Sequence, residues 1–430
     1  MATKVEKVLW FVPTLPAEVR RRVGAGAAGR GSWIESLRCI LVDDGMVELV
    51  VASASAYEYE PFEAEGVRYQ NIRIPSTTAT RMGRWAKNWG FSQHENLVVA
   101  RALAVVRAVA PDVVHVHGTE GVLGAAAHLC GRPVVISLQG LLTACQRHYF
   151  DGMRTIDVLR TLGSWESIRG TGVIHGYRNM RARARREQQV VARNRFFIGR
   201  TAWDRAVLAA LNPRASYFHC DEVIRPEFYS VTWEPPRHGQ KIIFSTSSSM
   251  PFKGSECLLE AVAILKAAGM PDLHVRIAGV PAGSQVDQFY RSRARALGLV
   301  DGVSWTGPIS GARLADELAH CHVFVYPTHI DNSPNALAEA MIVGVPTVAS
   351  YVGGIPSLLR HDEEGLLFPD GDQFALAAAI RRLLEDAPVS RSLAERARVA
   401  AHTRHRPETI AARMMEIYTT VLGENSVGRS

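Results

Sequence analysis

Apolar residues fall along this chain in short runs separated by amphipathic stretches, and the alternation occurs twice. In the first half, runs at 7–12, 47–53, 112–117, 133–138 and 196–200 have the length and β-branched content of buried strands. Helical spacing predicts helices at 31–41, 95–109 and 201–211, with Thr201 as the cap of the last. Residues 140–195 are more basic and less periodic, and helices covering a substrate groove are expected there. Residues 212–240 carry Pro213, Pro226, Pro235 and Pro236 without a strong period and read as a linker. Strands at 241–246, 273–279, 322–326 and 345–350 then alternate with helices at 255–268, 286–297 and 334–343. Helices at 374–385, 390–402 and about 407–422 complete the pattern. The expectation is an α/β protein with two doubly wound, mainly parallel sheets, divided at 1–228, 229–406 and 407–430.

Bulk properties narrow the picture. A chain of 430 residues suits two cores better than one, and 47% hydrophobic with 21% charged residues excludes a disordered chain. No apolar run is long enough to span a bilayer, and the apolar stretch 8–15 reads as a first strand rather than a signal peptide. The six cysteines (39, 130, 145, 220, 257 and 321) form no C-x-x-C pair, which points to free thiols in the cytosol. The formal charge of +7 is concentrated in arginines 20–22 with Arg30, and in a second group between Arg178 and Arg195. Such clusters suit an anionic membrane surface or a phosphorylated acceptor; no nucleic-acid motif accompanies them, so nucleic acid is not an expected partner.

The densest chemical signal lies at 331–346. Asp331 precedes a polar loop, Ser333 is placed to cap a helix with Pro334 at its first position, and Glu339 falls in the second turn. A helix start of this kind offers backbone N–H groups and a positive dipole end to a phosphate, with the two carboxylates free to accept hydrogen bonds from sugar hydroxyls. Lys253-Gly254 follows the first strand of the second half, where an ammonium group could neutralise a leaving diphosphate. Gly24, Gly26 and Gly29 have G-x-G-x-x-G spacing but start roughly ten residues beyond the first strand, too far for a dinucleotide fingerprint.

This arrangement resembles the E-x7-E signature of family 4 glycosyltransferases, which are retaining enzymes of the GT-B fold. The flanking Ala340-Met341, Gly344-Val345-Pro346, Gly353-Gly354-Ile355-Pro356 and Glu364-Gly365-Leu366-Leu367 continue the match. The resemblance is strongest over 241–385 and weaker over 1–230. It implies two Rossmann-like domains facing a cleft, the first taking the acceptor and the second the nucleotide-diphosphate sugar, with the last helix crossing back to the first domain. It implies that Lys253, Asp331 and Glu339 carry the reaction: Glu339 holds the ribose, Asp331 the donor sugar and Lys253 the diphosphate. Gly29, Gly31, Gln139, Ser247, Gly254, Pro308, Ile309, Asn332, Ser333, Pro334 and Asn335 are the further donor contacts expected. Arg22, His117, Glu120, Arg200 and Glu222 are expected at the acceptor or along the cleft, with Arg200 and Glu222 either lining it or pairing to set domain closure. The donor is expected to be a UDP-sugar and the acceptor a small or lipid-linked molecule. The protein is expected in the cytoplasm, in peripheral contact with the inner face of the membrane. With no Asp-x-Asp at a strand end and no His/Cys cluster, neither metal nor other cofactor is expected.

Three positions depart from the family pattern. Asp331 stands for glutamate, Gln139 for a common histidine, and Ser247 and Ser248 occupy the places expected of an arginine that Arg200 or Arg225 would replace. A nucleotide-sugar epimerase, a phosphorylase, a sugar synthase and a non-catalytic nucleotide-sugar-binding protein therefore stay open as readings of the same scaffold.

Overall fold

Eight strands form the first sheet: β1 (Lys7–Val12), β2 (Glu48–Ser55), β3 (Phe62–Ala64), β4 (Val67–Arg73), β5 (Val113–His117), β6 (Val134–Ser137), β7 (Phe196–Gly199) and β8 (Ser216–His219). Their order is β3-β4-β2-β1-β5-β6-β7-β8, parallel throughout except for the β3–β4 hairpin. Helices on both faces explain why β1, β5 and β7 are buried over almost their whole length. Six strands form the second sheet: β9 (Lys241–Thr246), β10 (Leu273–Ala278), β11 (Val303–Gly307), β12 (Val323–Tyr326), β13 (Thr347–Ser350) and β14 (Leu366–Phe368). They are all parallel, in the order β11-β10-β9-β12-β13-β14. In both sheets the winding reverses beside the first strand, between β1 and β5 and between β9 and β12. Ligands of open α/β sheets bind outside the carboxyl ends of the strands at such a reversal. Ser245 pairs with Val325, so Thr246 and Tyr326 end side by side at the second reversal.

The computed structural model describes residues 4–25, 33–43, 45–74, 94–162, 164–236 and 239–427. Two compact units emerge. One comprises Met1–Ala144, Asn179–Val223 and His405–Ser430; the other comprises Cys145–Arg178 and Ile224–Arg404. This differs from the division expected at 228 and 406, chiefly at Cys145–Arg178. That segment joins the second unit because its contacts are there: Val173 N donates to Gln285 Oε1 at 2.8 Å, Tyr149 meets Phe252, and Gly152 lies against Glu256. The last helix, Pro407–Val427, belongs to the first unit, where Ile410, Met414, Ile417, Tyr418 and Val421 enter the core beside Trp10 and Leu37.

Several elements escape the sequence pattern. The linker expected at 212–240 contains β8, which extends the first sheet along β7. Strand β11 and the helix Gly311–His320, which flank the expected donor contacts Pro308 and Ile309, were not in the sequence pattern. The β3–β4 hairpin was not anticipated; Glu65 and Gly66, both at positive φ, make its turn. The helix Trp33–Asp43 stands for the one expected at 31–41, whose first residues lie outside those described. Among the described residues, no helix is long and apolar enough to cross a membrane.

Candidate active site

At the second reversal, the loop after β9 carries Lys253 and the loop after β12 carries Asp331. Lys253 Nζ lies 2.6 Å from Asp331 Oδ2 and 3.0 Å from the Tyr326 hydroxyl, which itself donates to Asp331 Oδ2 at 2.6 Å. Asp331 Oδ1 accepts the Asn332 N–H at 2.9 Å. Burial works against the charge on both groups, but the opposing charge wins: Asp331 is held below the ordinary carboxylate range and Lys253 is raised. An ammonium group has three donors. Asp331 and Tyr326 take two, and the third is the one a phosphate oxygen can take.

Glycines bring the two loops together. Gly254 has φ +71°, and a Cβ there would stand 1.7 Å from the Pro327 carbonyl oxygen. Gly353 has φ +50°, and its Cβ would meet Asp331 O at 2.0 Å, while Gly354 N donates to that same oxygen at 3.0 Å. The Lys-Gly and Gly-Gly pairs of the sequence are thus the places where backbone touches backbone around Asp331.

Between these loops lies a histidine that the sequence did not single out. His329 is buried, with Nε2 2.6 Å from Glu256 Oε1 and Nδ1 2.7 Å from Asp370 Oδ1. Burial alone would lower its pKa, but hydrogen bonds to Asp370 and Glu256 and their charges raise it to about 10. The His329 N–H and the Thr328 hydroxyl both donate to Phe252 O, at 2.9 and 3.0 Å. These two bonds fasten the Asp331 loop to the Lys253 loop, and the imidazolium ties the same segment to Glu256 and Asp370. Tyr326 was also missed; its only sequence signal was its place at the end of a strand.

Glu339 sits in the second turn of the helix Asn335–Val343 and is 4% exposed, not on a solvated face. Arg225 Nε and Nη2 both donate to its Oε1, at 3.1 and 2.6 Å. Burial pushes the carboxyl up to about 7 against the pull of Arg225. The helix start differs by one position from the expected one. The Pro334 carbonyl accepts from Leu337 N at 3.0 Å and Ala338 N at 3.3 Å, so Pro334 rather than Ser333 is the cap residue, and no side chain caps the helix. Asn332 is buried and Ser333 and Asn335 are half-buried at this junction.

The remaining expected donor residues are more dispersed. Ser247 ends a backbone pairing with Ala278 O at 2.8 Å, and its hydroxyl accepts from Ser255 Oγ at 3.0 Å. Pro308 is exposed and Ile309 half-buried beyond the edge strand β11. Gly29 and Gly31 lie outside the described residues. The two arginines expected to replace the missing cation each have an acidic partner within their own unit. Arg225 is taken by Glu339, and Arg200 forms an ion pair with Glu222.

In the first unit, Gln139 follows β6, and its carbonyl accepts from Arg200 Nη2 at 3.0 Å. Arg200 and Glu222 are both buried, so they pair within the first unit rather than line an open surface; Arg200 also donates to Leu138 O at 2.6 Å. His117, at the end of β5, is 2% exposed and packed among the rings of Trp10, Trp33 and His115. Burial and the neighbouring His115 drive its pKa well down, so it is a neutral imidazole. Glu120 accepts from Arg183 at 3.1 Å. Arg22 is exposed, with its guanidinium over the Phe62 ring. Glu18, Glu35 and Glu65 converge as a metal site would. Arg38 lies among them, 2.6 Å from Glu35 and 2.8 Å from Glu65, and Arg21 lies 2.9 Å from Glu18, so each of the three carboxylates already meets an arginine.

A family model described as glycosyl transferases group 1 matches residues 233–400. This stretch holds β9 to β14 with Lys253, Asp331 and Glu339. Over residues 233–400 the chain is similar to group 1 glycosyl transferases. A D-inositol 3-phosphate glycosyltransferase from Stackebrandtia nassauensis is 32% identical over 156 residues, 35% of this chain and 34% of that protein. A phosphatidyl-myo-inositol mannosyltransferase from Mycobacterium leprae is 31% identical over 192 residues, 44% of this chain and 49% of that protein. The chain thus spans between about a third and a half of the length of these relatives. An exopolysaccharide phosphotransferase from Streptomyces coelicolor is also 34% identical over 154 residues, so likeness in this domain does not by itself fix the reaction. Among solved structures, a sucrose-phosphate synthase from Thermosynechococcus elongatus superposes with TM-score 0.72 at 17% identity, covering 97% of this chain and all of that one. HepE from Anabaena, solved with UDP-glucose, gives 0.65 at 16% identity, covering 96% of this chain and 99% of that one. The likeness to these structures over nearly the whole chain shows the GT-B fold.

Proposed function

We propose that the protein is a retaining, metal-independent glycosyltransferase that moves a sugar from a UDP-sugar to a small-molecule or lipid-linked acceptor. The observation that carries this reading is the meeting of Lys253 and Asp331 at 2.6 Å beside the strand reversal, one loop away from the helix that bears Glu339. The names of the relatives support transfer to a hydroxyl, one of them on a phospholipid, and the UDP-glucose in HepE supports the choice of donor.

In this reading, the bond between the sugar's anomeric carbon and the diphosphate oxygen breaks, and its electron pair stays with the diphosphate. The third N–H of Lys253 and the backbone donors near Asn332 meet the growing negative charge. Asp331 keeps Lys253 cationic and in place, and accepts a hydroxyl of the donor sugar. Glu339 accepts the ribose hydroxyls. The acceptor oxygen attacks the anomeric carbon from the face the diphosphate leaves, and its proton passes to a diphosphate oxygen.

Calorimetric titration with UDP, GDP and ADP tests the donor site. Selective binding of UDP, lost in Glu339→Ala, is the expected result; unchanged binding in that variant refutes the assignment. Full transfer activity in a Lys253→Ala, Glu339→Ala double variant would sink the mechanism.

A further inference from the structure

The second unit exposes an apolar surface that the transfer chemistry does not use. Among the described residues, five of the twelve exposed large apolar side chains fall within thirteen positions: Ile156, Leu159, Leu162, Trp165 and Ile168. Ile156 and Leu159 sit on the short helix Thr155–Thr161, which Leu162 ends, and Trp165 and Ile168 sit on a second, Trp165–Arg169. Spacings of three place Ile156 with Leu159, and Trp165 with Ile168, on common faces. Trp165 is 61% exposed and Leu159 53%. Apolar side chains scattered singly need no explanation, but five exposed within one short segment mark a contact surface.

The helices turn their polar sides inward. Buried Gln285 donates to Thr161 O at 3.2 Å and to the Ser164 and Ser167 hydroxyls, and the Ser167 hydroxyl donates to Thr161 O at 2.7 Å. That inner side borders a recess of about 290 Å³ that also receives Arg293 and Glu260, with Arg154, Asp157 and Arg160 along its edge. Ordinary surface helices do the reverse. Here polar bonds hold the segment to the body, and the apolar side chains stay outside.

The charges choose the partner. The exposed charged residues of 154–169 are Arg154, Arg160 and Arg169, whereas Asp157 and Glu166 are half-buried. Arg154 holds the Asp157 carboxylate at 3.0 Å, and the Arg169 guanidinium lies over the Trp165 ring at 5.1 Å. Protruding Ile and Leu side chains, a tryptophan and a rim of arginines form the pattern of an interfacial element that enters the headgroup layer of an anionic bilayer. We infer that residues 154–169 dock the protein on an anionic lipid surface, with Ile156, Leu159, Leu162, Trp165 and Ile168 entering the headgroup boundary and Arg154, Arg160 and Arg169 meeting lipid phosphates. This inference does not depend on the reaction proposed above.

Co-sedimentation with vesicles of phosphatidylcholine, with and without phosphatidylglycerol, tests it. The protein should bind the phosphatidylglycerol vesicles, weaken in high salt, and lose roughly tenfold or more in affinity in Leu159→Ser, Leu162→Ser, Ile168→Ser. UDP binding by that variant serves as a separate control on folding and on the donor site. A blue shift of tryptophan emission on vesicle addition should be much smaller in Trp165→Phe, a test that does not rely on the triple variant. Equal vesicle binding by the protein and the triple variant overturns the inference, as does an emission shift unchanged in Trp165→Phe. A dimer that the triple variant dissociates, with no vesicle binding by either protein, assigns the patch to a second copy and also overturns it.

Discussion

Replacing His329 with glutamine should flatten the pH dependence of stability in the second unit. In the native state, His329 keeps its proton up to about pH 10, against an ordinary 6.5, because Asp370 and Glu256 outweigh the cost of burial. The native state therefore binds a proton that the unfolded chain releases. The stabilisation is complete below pH 6.5 and is lost as pH rises toward 10, at no more than about 1.4 kcal/mol per pH unit. Taken at face value, the shift corresponds to roughly 5 kcal/mol. Asp370 is 37% exposed, so solvent screens one arm, and about 3 kcal/mol is the better figure. Between pH 7 and 9 the wild type should lose about 2 kcal/mol more than His329→Gln. Guanidinium unfolding at several pH values measures this, with pulsed hydrogen exchange assigning the transition that involves residues 241–404. The difference between the two proteins cancels the other titrating groups. Equal pH slopes in the two proteins would refute the reasoning, because a charged His329 clasp cannot be removed without changing the proton balance of folding.

Three further outcomes follow from the same geometry. Nucleotide affinity should rise with pH between 6 and 8, by about tenfold, as the Glu339 carboxyl ionises near 7; titration calorimetry on wild type and Glu339→Gln checks it, and parallel profiles would show that Glu339 does not touch the ligand. Gly254→Ala should destabilise the second unit by about 2–4 kcal/mol, since the new Cβ meets the Pro327 carbonyl and the backbone must keep a positive φ; a denaturant midpoint equal to wild type would contradict this. Tyr418→Phe should lower the stability of the first unit by about 2 kcal/mol, because the hydroxyl bonds both Trp10 Nε1 at 2.9 Å and His115 Nδ1 at 2.8 Å in a buried site; a thermal shift of the transition that carries residues 4–74 measures it.

The elements that could be read from sequence are those whose pattern is local and long. The helix Glu95–Val109 and strand β9 fall where apolar spacing puts them, and the Thr201 cap is present with its reciprocal Asp204 bond. Strand β4 was missed because it alternates apolar and polar residues from Val67 to Arg73 in an otherwise apolar sheet, although the Glu65-Gly66 turn before it was a usable signal. Strand β8 was hidden by the prolines around it, and β14 is only three residues long. Segment Cys145–Arg178 joins the second unit through Gln285 and Phe252, each more than a hundred residues along the chain from the residue it meets, and no local pattern can encode that choice.

The candidate site divides along the same line. Lys253, Asp331 and Glu339 stand at a strand end or a helix start, and those junctions need turn residues that the sequence displays: Gly254, Pro334 and Gly344. Partners that hold these three and their loops in place are distant in sequence. Arg225 reaches Glu339 across 114 residues, and His329 meets Glu256 across 73. Both are ordinary loop residues until the sheet is folded. A motif therefore locates the reacting groups, while their pKa values depend on partners that only the packed sheet supplies. The departures point the same way. Asp331 is one methylene shorter than the family's glutamate, yet it reaches Lys253 at 2.6 Å because Gly254 and Gly353 let the two loops close on Pro327 and Asp331. Shortening the side chain is compatible with the ion pair because the backbone approach, not the reach of the carboxylate, sets the distance.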